Sequence, residues 1–157
     1  MRILAIDPGT TESGVVIWDG THIDAFGKID NEEMFLWLEP GKHDVAVIEQ
    51  VKSYGMSVGQ SVFDTVFWAG KFYDRLTHTH GIPTEMMPRM DVKMHLCHSP
   101  RAKDTNIKQA LIDRFAPNTP NHGKGKKASP GFFYGFKSDI WAAMALAVTY
   151  YDKKGVG

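Results

Sequence analysis

The sequence predicts an α/β domain built on a mixed five-stranded sheet, with an antiparallel opening and helices on its flanks. Three observations predict it. Residues 2–7 and 14–18 are two apolar runs joined by a tight turn at Pro8-Gly9, the pattern of a hairpin. Val45-Ala46-Val47-Ile48 is apolar at every position, as a central strand covered on both faces must be. From Val58 onward the apolar spacing lengthens to three and four residues, the period of a helix. A chain of 157 residues suits one domain, here residues 1–157, and neither an internal repeat nor a linker interrupts it.

The elements follow in order. A third strand is predicted at 22–28, after the turn signal Asp19-Gly20, and a short helix at 31–38, ended by Pro40-Gly41. Residues 44–49 form the central strand, and the polar, glycine-rich stretch Lys52 to Gly59 is a loop. The helix from Val58 to Leu76 places Val58, Val62, Val66, Ala69 and Tyr73 on one face, widened by Phe63, Phe67 and Gly70. Its aromatic bulk exceeds what one buried face needs. The surplus serves either a two-fold contact between copies or a fuller cover over the sheet. A strand at 82–87 precedes a helix to about Phe115, capped by Thr105 or Asn106, with Ile107, Ala110 and Leu111 inward. Residues 116–137 carry four glycines and three prolines and read as a long irregular connection, a class usually functional or mobile. The last helix starts at Ser138, a favourable N-cap, and runs to about Tyr151. Ala142, Ala143, Ala145 and Ala147 keep it slim enough to lie close on a sheet. Strands first, then alternating helices and strands, give the mixed sheet.

Composition excludes several classes. A hydrophobic content of 43% is too high for a disordered chain. Cys97 is alone, so no internal disulfide forms, which suits a reducing compartment. No run of eighteen apolar residues exists to span a membrane, and Met1-Arg2 leads straight into a strand with no room for a signal peptide. The expected location is the cytoplasm. The net charge is zero, but it is segregated. Residues 89–137 hold ten Lys/Arg against three acids, a charge of +7, and the remainder is −7. Such a division can place a positive face on a neutral protein.

Three acids stand at element ends. Asp7 closes the first apolar run, Glu49 closes the central one, and Asp139 opens the last helix. Strand ends and a helix start can converge on one sheet edge and offer hard oxygen ligands to Mg²⁺. Such a site can activate water and stabilise a leaving 3′-oxygen in phosphodiester cleavage. Each acid also has a plainer role: Asp7 can shape the Pro8-Gly9 turn, Glu49 can be surface decoration, and Asp139 can favour a helix N-terminus. His95, Cys97 and His98 lack a fourth partner and fit no common structural zinc site.

The run Ile6-Asp7-Pro8-Gly9-Thr10 with Gly14, then Ile48-Glu49-Gln50-Val51, then Asp139 before an alanine-rich helix, resembles the RuvC family of Holliday-junction resolvases, most closely its phage-borne members. The resemblance covers nearly the whole chain. It implies an RNase H-like fold, a homodimer, Mg²⁺ or Mn²⁺ as one or two ions per site, and paired symmetric nicks in four-way DNA, with no nucleotide cofactor. A phage recombination or genome-debranching role goes with it. Asp7, Glu49 and Asp139 are the implied metal ligands. That family usually ends in two metal-binding residues three apart. Here either Asp139 is the first and Ala142 stands at the second, or Asp139 is the second and Phe136 stands at the first. Both matches lack one ligand, so a three-acid site is expected.

Arg89 to Lys93 and Ser99 to Asp104 resemble the two basic motifs of that family. The resemblance implies that Lys93 and Lys103 approach the scissile phosphate, with Lys103 catalytic. Arg101 can grip a phosphate with two nitrogens, and the helix start at Lys103 and Asp104 offers free N–H groups to an anion. The loop after Glu49, with Lys52, Tyr54 and Met56, corresponds to the region that reaches the junction centre, where Tyr54 or Met56 can wedge between bases. Packing of Tyr54 on the protein's own surface is the alternative. Lys124, Lys126 and Lys127 are expected to track the phosphate backbone. Three other readings share these features: an RNase H-like nuclease for RNA–DNA hybrid or other branched DNA, a catalytically weakened junction binder, and an actin-like ATPase. The last needs a second lobe that 157 residues do not supply.

Overall fold

A computed structural model describes residues 1–154. Three antiparallel strands open the chain: β1 (Ile3–Asp7), β2 (Glu12–Trp18) and β3 (Ile23–Asp30). After α1 (Met34–Leu38), β4 (Val45–Gln50) lies parallel to β1, with Ile6 beside Ile48. Helix α2 (Gln60–Asp74) continues into a π-helical turn at Arg75–Thr79, and β5 (Thr84–Pro88) pairs parallel to β4. Helices α3 (Arg89–Cys97) and α4 (Asp104–Phe115) follow, then the two-residue strands β6 (Gly125–Lys126) and β7 (Ser129–Pro130), and finally α5 (Asp139–Lys153). The sheet order is β3-β2-β1-β4-β5, the mixed five-stranded arrangement of the RNase H-like fold.

Each central strand feeds two cores, because successive side chains point to opposite faces. Ile3, Ala5, Val16, Trp18 and Val47 face α3, α4 and α5. Leu4, Ile6, Val15, Ala46 and Ile48 face α1 and α2. Helix α5 is buried almost all round, from Ile140 through Tyr150 with Ala142 the one half-exposed position, and its alanines let it lie against β1 and β2. At its far end the Asp152 carboxylate accepts two hydrogen bonds from Arg114 of α4, at 2.7 and 2.9 Å, and lies 2.7 Å from His95 Nε2 of α3. The Arg114 bonds, then the His95 contact, hold the Asp152 carboxyl below its usual pKa despite partial burial.

Four local expectations are corrected. The buried stripe of α2 is Ala69 and Phe72, continued by Leu76, while Val66 and Tyr73 lie exposed. Phe72 and the half-buried Trp68 remove more apolar area from water than Val66 and Tyr73 would, and the helix is turned accordingly. Residues 89–97 are helical where no helix was expected; only Val92 of this short element is buried, so its apolar periodicity is faint. The cap of α4 is Lys103, not Thr105 or Asn106; the Asn106 side chain reaches back to accept from the Lys103 N–H at 2.8 Å. Ser138 does occupy the N-cap of α5, but at φ 47° its hydroxyl makes no capping bond. No helix among the described residues is long and apolar enough to cross a membrane.

Candidate active site

The register of β1 and β4 brings Asp7 and Glu49 together. Both follow an odd-numbered series of inward residues, Ile3 and Ala5 in one strand and Val47 in the other, so both carboxylates emerge on the α5 side. Asp139 reaches the same point because Gly14, paired with Asp7 across β1 and β2, has no side chain. A Cβ at Gly14 would lie 2.4 Å from the Asp139 carbonyl oxygen and 2.8 Å from its Cβ, so any other residue would push the start of α5 away. A buried network fixes the turn after Asp7: Ser13 Oγ donates to Asn31 Oδ1 at 2.6 Å, and Asn31 Nδ2 donates to the Gly9 carbonyl at 2.9 Å.

The three acids line one cavity of about 570 Å³. Its other walls include Arg89 from α3, Asp104 and Lys108 from α4, Lys124 and Lys137 from the connection, and Ser138 and Ala142 from α5. The cavity is thus acidic at its floor and basic at its rim. Burial, then the charges of Glu49 and Asp139, push the Asp7 carboxyl up to about 8, against the lowering pull of Arg89. Burial and the two acidic neighbours thus favour the protonated form of Asp7. Glu49 Oε1 accepts from Arg89 Nη1 at 3.2 Å, and a second Arg89 nitrogen bonds Asp104. Burial opposes the Arg89 charge, but Glu49 and Asp104 together outweigh it and raise its pKa. Asp139 Oδ2 lies 3.3 Å from Lys28 Nζ of β3.

The donor set suits a hard divalent cation: three carboxylates from three elements, one of them raised in pKa by burial and then by its acidic neighbours. The side chains are not drawn in around a single point, however. Among the described residues no three His, Cys, Asp or Glu side chains form a ready metal cage. Glu49 and Asp139 are each paired with a cation of the chain itself. Of the two matches for a fourth ligand, Ala142 lines the cavity one turn beyond Asp139, whereas Phe136 is buried among Phe26, Phe133 and Trp141.

The remaining candidates are spread more widely. Lys124 lines the cavity; Lys126 and Lys127 lie exposed at the small hairpin made by β6 and β7. Lys103 and Arg101 are exposed beside the α4 start, and Lys93 is half-buried on α3; none of the three lines the cavity. Lys52, Tyr54 and Met56 are exposed on the loop after β4, with Tyr54 at φ 51°. Lys28 and Lys137 were not expected at the site, and Asp104 was expected only as part of a helix start that offers N–H groups. Lys28 had no readable signal, because a register shift at Ile17/Trp18 is what sets it opposite Gly14.

No protein-family model and no curated protein sequence matches the chain. Among solved structures it is similar to Thermus thermophilus RuvC, at a TM-score of 0.68 and 17% identity over 99% of this chain and 97% of that one. It is similar also to T. thermophilus RuvC in complex with a Holliday junction substrate, at a TM-score of 0.70 and 16% identity over 99% and 96%. The chain therefore has the RNase H-like fold in the arrangement that RuvC displays, end to end.

Proposed function

We propose that this protein is a divalent-cation-dependent, structure-specific endodeoxyribonuclease that resolves four-way DNA junctions by paired symmetric nicks. The observation that carries the reading is the meeting of Asp7, Glu49 and Asp139 at the floor of a cavity with a basic rim. Mg²⁺, or Mn²⁺ in its place, is held by those three acids and, when bound, supplies an activated water and charge stabilisation at the leaving oxygen. The alanine at 142 favours one ion over two. Lys108, Lys124 and Lys137 balance the phosphate charge at the rim. Lys93, Arg101 and Lys103 engage the backbone beyond the cavity, Lys103 from the cap of α4, next to Asp104 of the cavity wall. The loop with Lys52, Tyr54 and Met56 meets the branch point, and Lys126 and Lys127 follow the flanking duplex.

Symmetric cutting needs two sites, and α2 offers the contact for a homodimer. Phe63 and Phe67 are 60% and 62% exposed, with Val66 between them at 47%. Three apolar side chains at helical spacing on an open face form the self-complementary stripe that a two-fold interface uses. The similarity to the structure solved with a Holliday junction supports this substrate class.

The test is cleavage of a synthetic four-way junction with and without Mg²⁺, beside linear duplex and RNA–DNA hybrid. Paired nicks at symmetric positions, lost in Asp7→Asn and with EDTA, are the expected result. Equal cutting of the hybrid would contradict junction resolution and favour a general RNase H-like nuclease. Lys124→Ala should weaken binding and reduce the slope of log K against log salt by about one.

A further inference from the structure

Two basic side chains hold the carboxylates that a cation would need. Arg89 is the first residue of α3, directly after β5, and the pairing of β5 with β4 sets Pro88 beside Gln50. The backbone itself thus delivers the guanidinium to Glu49, which its Nη1 contacts at 3.2 Å, while Asp104 steadies the other side. Lys28 reaches Asp139 by a different route. It stands opposite Gly14 in the β2–β3 ladder, and the missing side chain at Gly14 leaves the path to Asp139 Oδ2 open at 3.3 Å. Asp7 ends β1, between β4 with Glu49 on one side and β2 with Gly14, against which Asp139 packs, on the other.

Three crowded carboxylates repel one another unless positive charge is near. A bound divalent cation meets that need and so do Arg89 and Lys28, through the same oxygens. We infer that Arg89 and Lys28 are positioning residues, internal counter-ions that pair with Glu49 and Asp139 and compete with a divalent cation for them. Cation binding then requires both pairs to open, and these two side chains set the concentration at which the site fills. Neither group is locked in place. Their side chains are 30% and 35% exposed, Arg89 on the cavity wall and Lys28 on the edge strand β3. Once withdrawn, each is free to meet a phosphate oxygen, which couples release of the carboxylates to arrival of DNA.

This inference rests on the three acids being the cation site, and the experiment separates the two. Mn²⁺ binding is measured by calorimetry, and by the electron-spin signal of free Mn²⁺, for the unaltered protein, Arg89→Gln, Lys28→Met and Asp7→Asn. Arg89→Gln and Lys28→Met should each bind Mn²⁺ about three- to tenfold more tightly, with Arg89→Lys restoring much of the original affinity. A merely structural role for either residue would loosen the site and leave affinity unchanged or weaker. Equal or weaker Mn²⁺ binding in Arg89→Gln or Lys28→Met overturns the inference, even where Asp7→Asn abolishes binding and the site itself stands. Binding that is absent throughout, or indifferent to Asp7→Asn, overturns the site as well. Lys28 lies on an exposed position of an edge strand, so Lys28→Met decides the matter if Arg89→Gln does not fold.

Discussion

Helices α2 and α5 are each fifteen residues long and lie on opposite faces of one sheet, yet they are built for different work. Helix α5 buries ten residues, four of them the alanines and valine that let it settle onto β1 and β2. Helix α2 buries Ala69 and Phe72 and leaves Phe63, Val66 and Phe67 in the open. Burial all round makes α5 a fixed post, which holds the Asp139 carboxylate at its first residue in one place on the cavity wall. The half-covered α2 carries no part of the cavity. Its outward face is free to vary in contact without moving Asp7, Glu49 or Asp139.

That contrast can be broken from the α5 side first, where the largest effects lie. Leu146→Ala, at a fully buried position, should destabilise the fold by about 2–5 kcal/mol, read from urea unfolding. Gly14→Val should cost about 1–3 kcal/mol through overpacking and should also remove Mg²⁺-dependent cleavage, because it displaces Asp139. Asp7→Asn should do the opposite to stability. The native carboxyl has a pKa raised to about 8, so its favourable contribution is complete below about pH 4, declines as pH rises, and is lost above about 8. Replacing it by a neutral amide should therefore stabilise the metal-free protein near pH 8, on the order of 2 kcal/mol, while removing activity.

Smaller effects sharpen the comparison. Asp152→Asn loosens the tie among α3, α4 and α5 and should cost about 1–2 kcal/mol at pH 7. The Asp152 pKa is depressed, so its contribution is present above about pH 4 and lost as pH falls further. The penalty of Asp152→Asn should thus shrink in acid, in thermal melts run from pH 7 to pH 3. Phe67→Ala, on the open face of α2, should change monomer unfolding by no more than about 0.5 kcal/mol. It should nonetheless shift the sedimentation profile from dimer to monomer and reduce paired nicking.

The parts of this molecule legible in the sequence are those fixed by short-range pattern. The hairpin around Pro8-Gly9, the doubly apolar β4 and the alanine-rich α5 each carry their period in consecutive residues, and the strand-end position of Asp7 and Glu49 follows from it. Helix α3 was not legible because Arg89 to Cys97 buries a single side chain, so no apolar period marks it. The orientation of α2 was misread because periodicity gives a stripe but does not rank Phe72 against Val66. The ion pairs of the site were the least legible. Arg89 and Glu49 are forty residues apart, and Lys28 meets Asp139 only through the gap left by Gly14. Such contacts depend on strand register in three dimensions, which one-dimensional spacing does not carry.

The most direct test of the account is a crystal of the protein soaked in Mn²⁺ and measured at a wavelength where manganese scatters anomalously. An anomalous peak is expected within about 2.0–2.4 Å of carboxylate oxygens of Asp7, Glu49 and Asp139, with Arg89 and Lys28 withdrawn from Glu49 and Asp139. A peak elsewhere on the molecule, or none at saturating Mn²⁺ while both ion pairs stay closed, would contradict it.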